Sequence, residues 1–171
     1  SDDESETLAV DLGEGEERPR FCVCYRAPNA GIGPLLAALD FYASTAAGAF
    51  IAGGDFNLPA LQLPQSGADA RAVSGATETR ACRDFSDALA RAGLVVKSGT
   101  RRACGPDLEH TYTFYRLVED AVQTSQLDLI IANGEADVTA CVTENSGPSS
   151  ILTGVDTWER SHHAPIWCEA S

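Results

Sequence analysis

Apolar and polar positions alternate in short blocks along the chain, and most blocks end where Gly, Pro, Asn or Ser accumulate. The run from Arg20 to Tyr25, Arg-Phe-Cys-Val-Cys-Tyr, predicts a mostly buried strand that stops at the turn-forming Arg26-Ala27-Pro28-Asn29-Ala30-Gly31. A helix follows: Pro34 suits its first turn, and Leu35, Leu39, Tyr42 and Ala46 recur at helical spacing until Gly48. Residues 49–53 form a short apolar strand that runs into Gly54-Asp55-Phe56-Asn57. Residues 58–76 are a long loop rich in Pro, Gly, Ser and Ala. A second helix is expected from about Thr77 to Ala92, with Ala81, Phe85 and Leu89 on one face and Gly93 as its stop. Strands are then expected at Leu94 to Val96, Thr111 to Tyr115, Leu127 to Ile131, Val138 to Thr143 and Ala164 to Glu169. Helices set between strands that end in polar loops suit an α/β-type layer with functional residues gathered at strand ends.

The chain has 171 residues, 44% of them hydrophobic, which is enough for one domain with a core and too little to argue for two. Methionine is absent throughout, which points to part of a longer polypeptide. Twelve basic residues against twenty-five acidic ones give a net charge of -13, the wrong sign for gripping nucleic acid by phosphate neutralisation. Much of the acid lies in residues 1–19, an expected solvated head with one possible strand from Thr7 to Leu12. Cys22, Cys24, Cys82, Cys104, Cys141 and Cys168 include no C-x-x-C pair, and most stand in apolar runs, so buried free thiols are favoured over disulfides or zinc ligands. No apolar stretch is long enough to span a bilayer, so no membrane partner is expected, and the expected location is intracellular, the nucleus included.

Four segments place polar or ionisable residues inside or at the end of an otherwise apolar strand: Tyr25 with Asn29, Asp55 with Asn57, Asp128, and His163. A carboxylate buried alone costs several kcal/mol, so Asp128, set between Leu127 and Leu129, needs a partner. Histidine is the economical choice, and only His110, His162 and His163 exist. Each feature also has a structural reading: Asp55 and Asn57 as turn caps, Tyr25 as an amphipathic core residue, Asp128 and His163 as an architectural ion pair.

Taken in order, these segments resemble the endonuclease/exonuclease/phosphatase superfamily. Tyr25-Arg26-Ala27-Pro28-Asn29 is similar to its Tyr-x-Pro-Asn loop with one extra residue, and Gly54-Asp55-Phe56-Asn57 to its Gly-Asp-(Phe/Leu)-Asn motif. Thr113-Phe114, Leu127-Asp128-Leu129-Ile130 and Ser161-His162-His163-Ala164-Pro165-Ile166 resemble its Thr-Phe/Trp, Leu-Asp-(Tyr/Leu)-Ile and Ser-Asp-His-x-Pro-(Ile/Val) segments. The resemblance implies an α+β fold of the α/β-sandwich kind, DNase I-like, with two mixed sheets packed face to face, flanking helices and the first strands missing. It implies metal-dependent phosphodiester hydrolysis with Mg²⁺ or Mn²⁺. In that scheme Asp55 orients or deprotonates the attacking water, Asn57 holds water or phosphate, Asp128 pairs with His163, His163 hydrogen-bonds the phosphorane, and Tyr25 and Asn29 contact phosphate oxygens.

Two departures qualify the resemblance. The family's metal-binding Glu should precede the Tyr25 strand and is absent, since Glu4 and Glu6, the substitutes on offer, stand in no Asn/Gln-Glu context, and His162 stands where the family has Asp. An imidazole suits Mn²⁺ or Zn²⁺ better than Mg²⁺, so Asp55 and His162 are the candidate metal ligands of a weakened site. Three functions remain open: a retroelement-type DNA endonuclease domain, to which Gly53-Gly54-Asp55-Phe56-Asn57 is closest; a degenerate interaction module of the same fold; and a phosphoesterase for a lipid or inositol phosphate.

Overall fold

A computed structural model describes residues 4–61, 79–97, 114–118, 121–125, 127–134, 136–142 and 166–170. Its centre is a mixed five-stranded sheet of β1 (Ser5–Asp11), β2 (Arg20–Arg26), β3 (Phe50–Asp55), β7 (Asp128–Asn133) and β4 (Leu94–Val96), in the spatial order β1-β2-β3-β7-β4. Strands β2 and β3 are parallel and joined through α1 (Ile32–Ser44), whereas β1, β7 and β4 pair antiparallel with their neighbours. Helix α2 (Arg80–Ala92) leads into β4. Two antiparallel two-stranded sheets complete the described structure, β5 (Phe114–Val118) with β6 (Ala121–Ser125), and β8 (Val138–Val142) with β9 (Ile166–Ala170).

The two-residue period of the strands decides which side chains form the core. Cys22 and Cys24 of β2, Phe50 and Ala52 of β3, Leu129 and Ile131 of β7, and Leu94 and Val96 of β4 face the helices. Against them pack Ile32, Leu35 and Leu39 from α1 and Cys82, Phe85 and Leu89 from α2, each at a spacing of three or four residues. Cys22, Cys24 and Cys82 are therefore buried free thiols, as their apolar context predicts. The opposite face buries Ile51, Ile130 and Ala132 under Val138 of the β8–β9 pair, with Cys168 packed alongside.

Helix α2 carries its own start and stop. The Thr79 hydroxyl accepts from the Cys82 amide at 3.2 Å, and Gly93 closes the helix in the left-handed conformation at φ 65°. Helix α1 has Gly31 at its N-cap with no side-chain bond, and Pro34 falls in the first turn, where a missing N–H costs nothing.

The expected strands and helices are present with shifted ends, and Thr111 to Thr113 and residues 62–76 of the loop lie outside the described residues. Strand β6, Ala-Val-Gln-Thr-Ser, was not anticipated, because it has no apolar alternation to announce it. The α/β class holds; of the expected pair of mixed sheets, the described residues show one five-stranded mixed sheet with helices on one face and the two-stranded antiparallel sheet of β8 and β9 on the other. Among the described residues, no helix is long and apolar enough to cross a membrane.

This layering predicts that Phe85→Ala, at a fully buried position where α2 meets the sheet, costs about 3–5 kcal/mol of unfolding free energy. Phe41→Ala, at a position 61% exposed on α1, should change stability by no more than about 0.5 kcal/mol. Urea unfolding followed by circular dichroism measures both.

Candidate functional site

Three of the residues singled out in the sequence share one row of the sheet. Tyr25 is the cross-strand partner of Asp55, and Asp55 is the partner of Asp128. Residues directly opposed across neighbouring strands project to the same face, about 5 Å apart at their Cα atoms. The row, which Glu6 of β1 extends as the cross-strand partner of Tyr25, therefore sets a phenol and three carboxylates at the carboxyl ends of the parallel strands β2 and β3, the end where ligands bind in open α/β sheets. It lies on the face away from the helices, in phase with Ile51 and Ile130, and Tyr25 is 44% exposed.

The Gly54-Asp55-Phe56-Asn57 segment is shaped by four separate constraints. Gly54 has φ 147°, and a Cβ there would lie 1.8 Å from the Cys24 carbonyl oxygen, so no other residue fits beside β2. Asp55 ends the strand and accepts the Asn57 amide at 2.9 Å through Oδ1, an Asx-type turn. Phe56 turns inward, fully buried, with its ring edge-on to Phe85 at 5.6 Å, and its amide donates to the Leu127 carbonyl at 2.8 Å. Asn57 takes the left-handed conformation at φ 47°, which asparagine tolerates, and its Nδ2 donates to the Arg26 carbonyl at 2.6 Å. Asn57 thus carries part of the structural role that a turn-capping reading assigns to it.

Arg26, which the sequence reading passed over, ties this segment to the preceding loop. Its side chain is buried on the helix side, and its guanidinium donates to the carbonyls of Phe56 at 2.8 Å, Ala30 and Asn57. One cation therefore fixes the loop after β2, which carries Asn29, against the loop after β3, which carries Asn57. Burial pulls the guanidinium below its ordinary pKa, and the charge of Asp55 acts in the opposite sense; arginine nonetheless remains charged throughout the physiological range. Parity was the available signal: in Cys-Val-Cys-Tyr-Arg, Arg26 shares the buried side of Cys22 and Cys24.

Asn29 sits exposed in the turn after β2, near the row in the chain but outside it. His162 and His163 lie outside the described residues, as does His110, so the Asp128 and His163 pairing is carried forward as a proposal. A hard cation takes six or more oxygen ligands, several of which can be waters. Asp55 and Asp128 supply the right donor type, but no group of three His, Cys, Asp or Glu side chains able to hold a metal occurs among the described residues. Those residues alone do not make a metal site.

A hollow of about 690 Å³ opens at the opposite end of the sheet, lined by Gly48, Ala49, Gly93, Leu94, Asn133 and Gly134 among others. None of its described lining residues is ionisable, so they do not favour it over the carboxylate row for acid–base or ligand chemistry.

No protein-family model matches the chain, and no curated protein matches it either. Among solved structures it is similar to an endonuclease/exonuclease/phosphatase family protein from Leptotrichia buccalis C-1013-b, with a TM-score of 0.57 and 14% sequence identity. The match covers 96% of this chain and 53% of that one, so the chain spans about half the length of the solved structure. At that identity the likeness is one of fold: the described chain has a partial endonuclease/exonuclease/phosphatase-like architecture, with one five-stranded mixed sheet and two helices.

Arg26→Lys is expected to cost about 3 kcal/mol, because an ammonium group cannot reproduce the planar donor set that meets three carbonyls. Hydrogen exchange should speed up in residues 26–31 and 55–58 before it does in α2. Gly54→Ala should cost at least about 2 kcal/mol, because its Cβ meets backbone rather than a movable side chain. Chemical denaturation together with exchange mass spectrometry reads both effects.

Proposed function

We propose that this chain belongs to a metal-dependent phosphodiester hydrolase, and specifically to a DNA endonuclease domain of the retroelement type. The observation that carries the reading is the cross-strand row of Tyr25, Asp55 and Asp128 at the carboxyl ends of β2 and β3. Hydrolysis of a phosphodiester needs an oriented water, a counter-charge for the non-bridging oxygens and a proton for the departing oxygen. Asp55 is the group suited to orient or deprotonate the water. Tyr25 and Asn29 are suited to donate hydrogen bonds to phosphate oxygens. Asp128 would hold one nitrogen of His163 and keep the other directed at the phosphate. Dependence on Mg²⁺ or Mn²⁺, with Asp55 and His162 as candidate ligands, is part of the same proposal. DNA as substrate rests on the motif resemblance and stands against the net charge of -13.

A second reading is favoured by the net charge of -13 and by His162 standing where the family has Asp. On that reading the fold persists as an interaction module without catalysis.

Nicking of supercoiled plasmid by the full-length protein in Mn²⁺ or Mg²⁺ tests the first reading. Asp55→Asn and His163→Ala should each lower the rate by at least about 100-fold while leaving thermal unfolding unchanged. Undiminished nicking by Asp55→Asn would contradict it. If no divalent-metal heat that Asp55→Ala removes is found by calorimetry, and no nicking occurs, the interaction module stands.

A further inference from the structure

The inner face of β2 carries two nucleophilic side chains that the proposed chemistry does not use. Cys22 and Cys24 stand two residues apart in the strand and so project to the same side, where both are buried with their Sγ atoms 3.7 Å apart. A strand rises about 3.3 Å per residue, so their Cα atoms stand about 6.6 Å apart, at the upper end of the roughly 4.4–6.8 Å that a disulfide spans. A bond between them is within reach, but only if β2 shortens. Cys22 is the group suited to react first. Its hydrogen bond with Cys24 holds the thiol below the ordinary range against the opposing effect of burial, with Arg20 acting in the same sense as the bond. The same bond, together with burial, pushes Cys24 up.

The place of the pair gives that shortening a consequence. Tyr25 and Arg26 follow Cys24 directly, the first in the exposed row and the second in the buried clamp. On the neighbouring strand Cys22 lies opposite Ala52 and Cys24 opposite Gly54, where the backbones approach so closely that a Cβ on Gly54 would sit 1.8 Å from the Cys24 carbonyl oxygen. Contraction of β2 at this point shifts Tyr25 against Asp55 and draws Arg26 away from the carbonyls of Phe56 and Asn57. We propose that Cys22 and Cys24 form a dithiol switch, which a hydroperoxide closes to a disulfide that shortens β2 and releases the loops bordering the row of Tyr25, Asp55 and Asp128. The Cys22 sulfur attacks the outer peroxide oxygen and expels an alkoxide, which leaves as the alcohol with the Cys22 proton, and a sulfenic acid remains. The Cys24 sulfur then displaces the sulfenic hydroxyl, which leaves as water with the Cys24 proton. Two thiols and one hydroperoxide thus give one disulfide, one alcohol and one water. Because both sulfurs are buried, only a small oxidant admitted by local opening reaches them. A disulfide closed at the limit of its span is strained and easily reduced, which makes the change reversible.

The switch does not depend on phosphodiester hydrolysis, and its test reads the bond and the strand instead of activity. Trypsin cleaves after Arg20 and Arg26 and so releases residues 21–26, which hold both thiols and no other cysteine. After the folded full chain is treated with hydrogen peroxide and its free thiols are blocked, that peptide should appear unblocked and lighter by two hydrogen atoms, and dithiothreitol should restore it. Hydrogen exchange at the amides of residues 24–27 and 54–57 should speed up at least about tenfold in the oxidised protein and return on reduction. Cys24→Ala should abolish both effects and Cys82→Ala neither, with thermal unfolding verifying that each variant is folded; the unsubstituted peptide reports the bond whatever the variants do. Recovery of Cys22 and Cys24 as blocked free thiols or as separate sulfinic acids would overturn the proposal, and so would a disulfide joining either of them to Cys82. A Cys22–Cys24 bond that leaves exchange at residues 24–27 and 54–57 unchanged would overturn it equally.

Discussion

A guanidinium taken out of water must be met by hydrogen-bond acceptors, and the acceptors that meet Arg26 are backbone carbonyls of two different loops. That requirement sets the geometry of the candidate site. With Arg26 bound to Ala30, Phe56 and Asn57, the segment leaving β2 and the segment leaving β3 cannot move independently, and Asn57 returns a bond to the Arg26 carbonyl. The exposed row of Tyr25, Asp55 and Asp128 stands on the other face of the same strands. A buried cation beneath the sheet thus fixes the loops that border an array of polar groups above it.

The packing of the helices serves the same end. Phe56 lies between Asp55 and Asn57 in sequence, and its burial against Phe85 of α2 pulls the middle of the motif inward while its neighbours stay at the surface. Gly54 permits β3 to approach the backbone of β2 at Cys24, a contact that any side chain would block. Local conformation, core packing and site geometry are therefore coupled within four residues, so a substitution made for one purpose there disturbs the others.

Much of this was legible in the sequence, for particular reasons. The helices announced themselves through Leu35 and Leu39, Phe85 and Leu89, and the Gly93 stop, because amphipathic periodicity and capping are local properties. Asp55 and Asp128 stood out as carboxylates attached to apolar strands, and the sheet register makes them neighbours. Arg26 was missed because charge at a strand end reads as solvent exposure, and only its parity with Cys22 and Cys24 reveals that it points into the core. Strand pairing order is non-local, so the place of β7 between β3 and β4, and the pairing of β8 with β9, could not be read from residue patterns. The likeness to a solved endonuclease/exonuclease/phosphatase structure supports the architecture that the ordered motifs suggested, and at 14% identity it does not extend to their chemistry.

The central claim is that the carboxyl ends of β2 and β3, and not the hollow at the far end of the sheet, form the surface that meets a phosphate group. Backbone amide shifts of the isotopically labelled chain, followed during titration with a short non-hydrolysable phosphodiester analogue and divalent metal, test it directly. The account predicts that perturbations concentrate at residues 25–30, 55–57 and 127–128 and vanish in Asp55→Asn. Perturbations centred instead on Gly48, Gly93 and Gly134, or unchanged by Asp55→Asn, would contradict it.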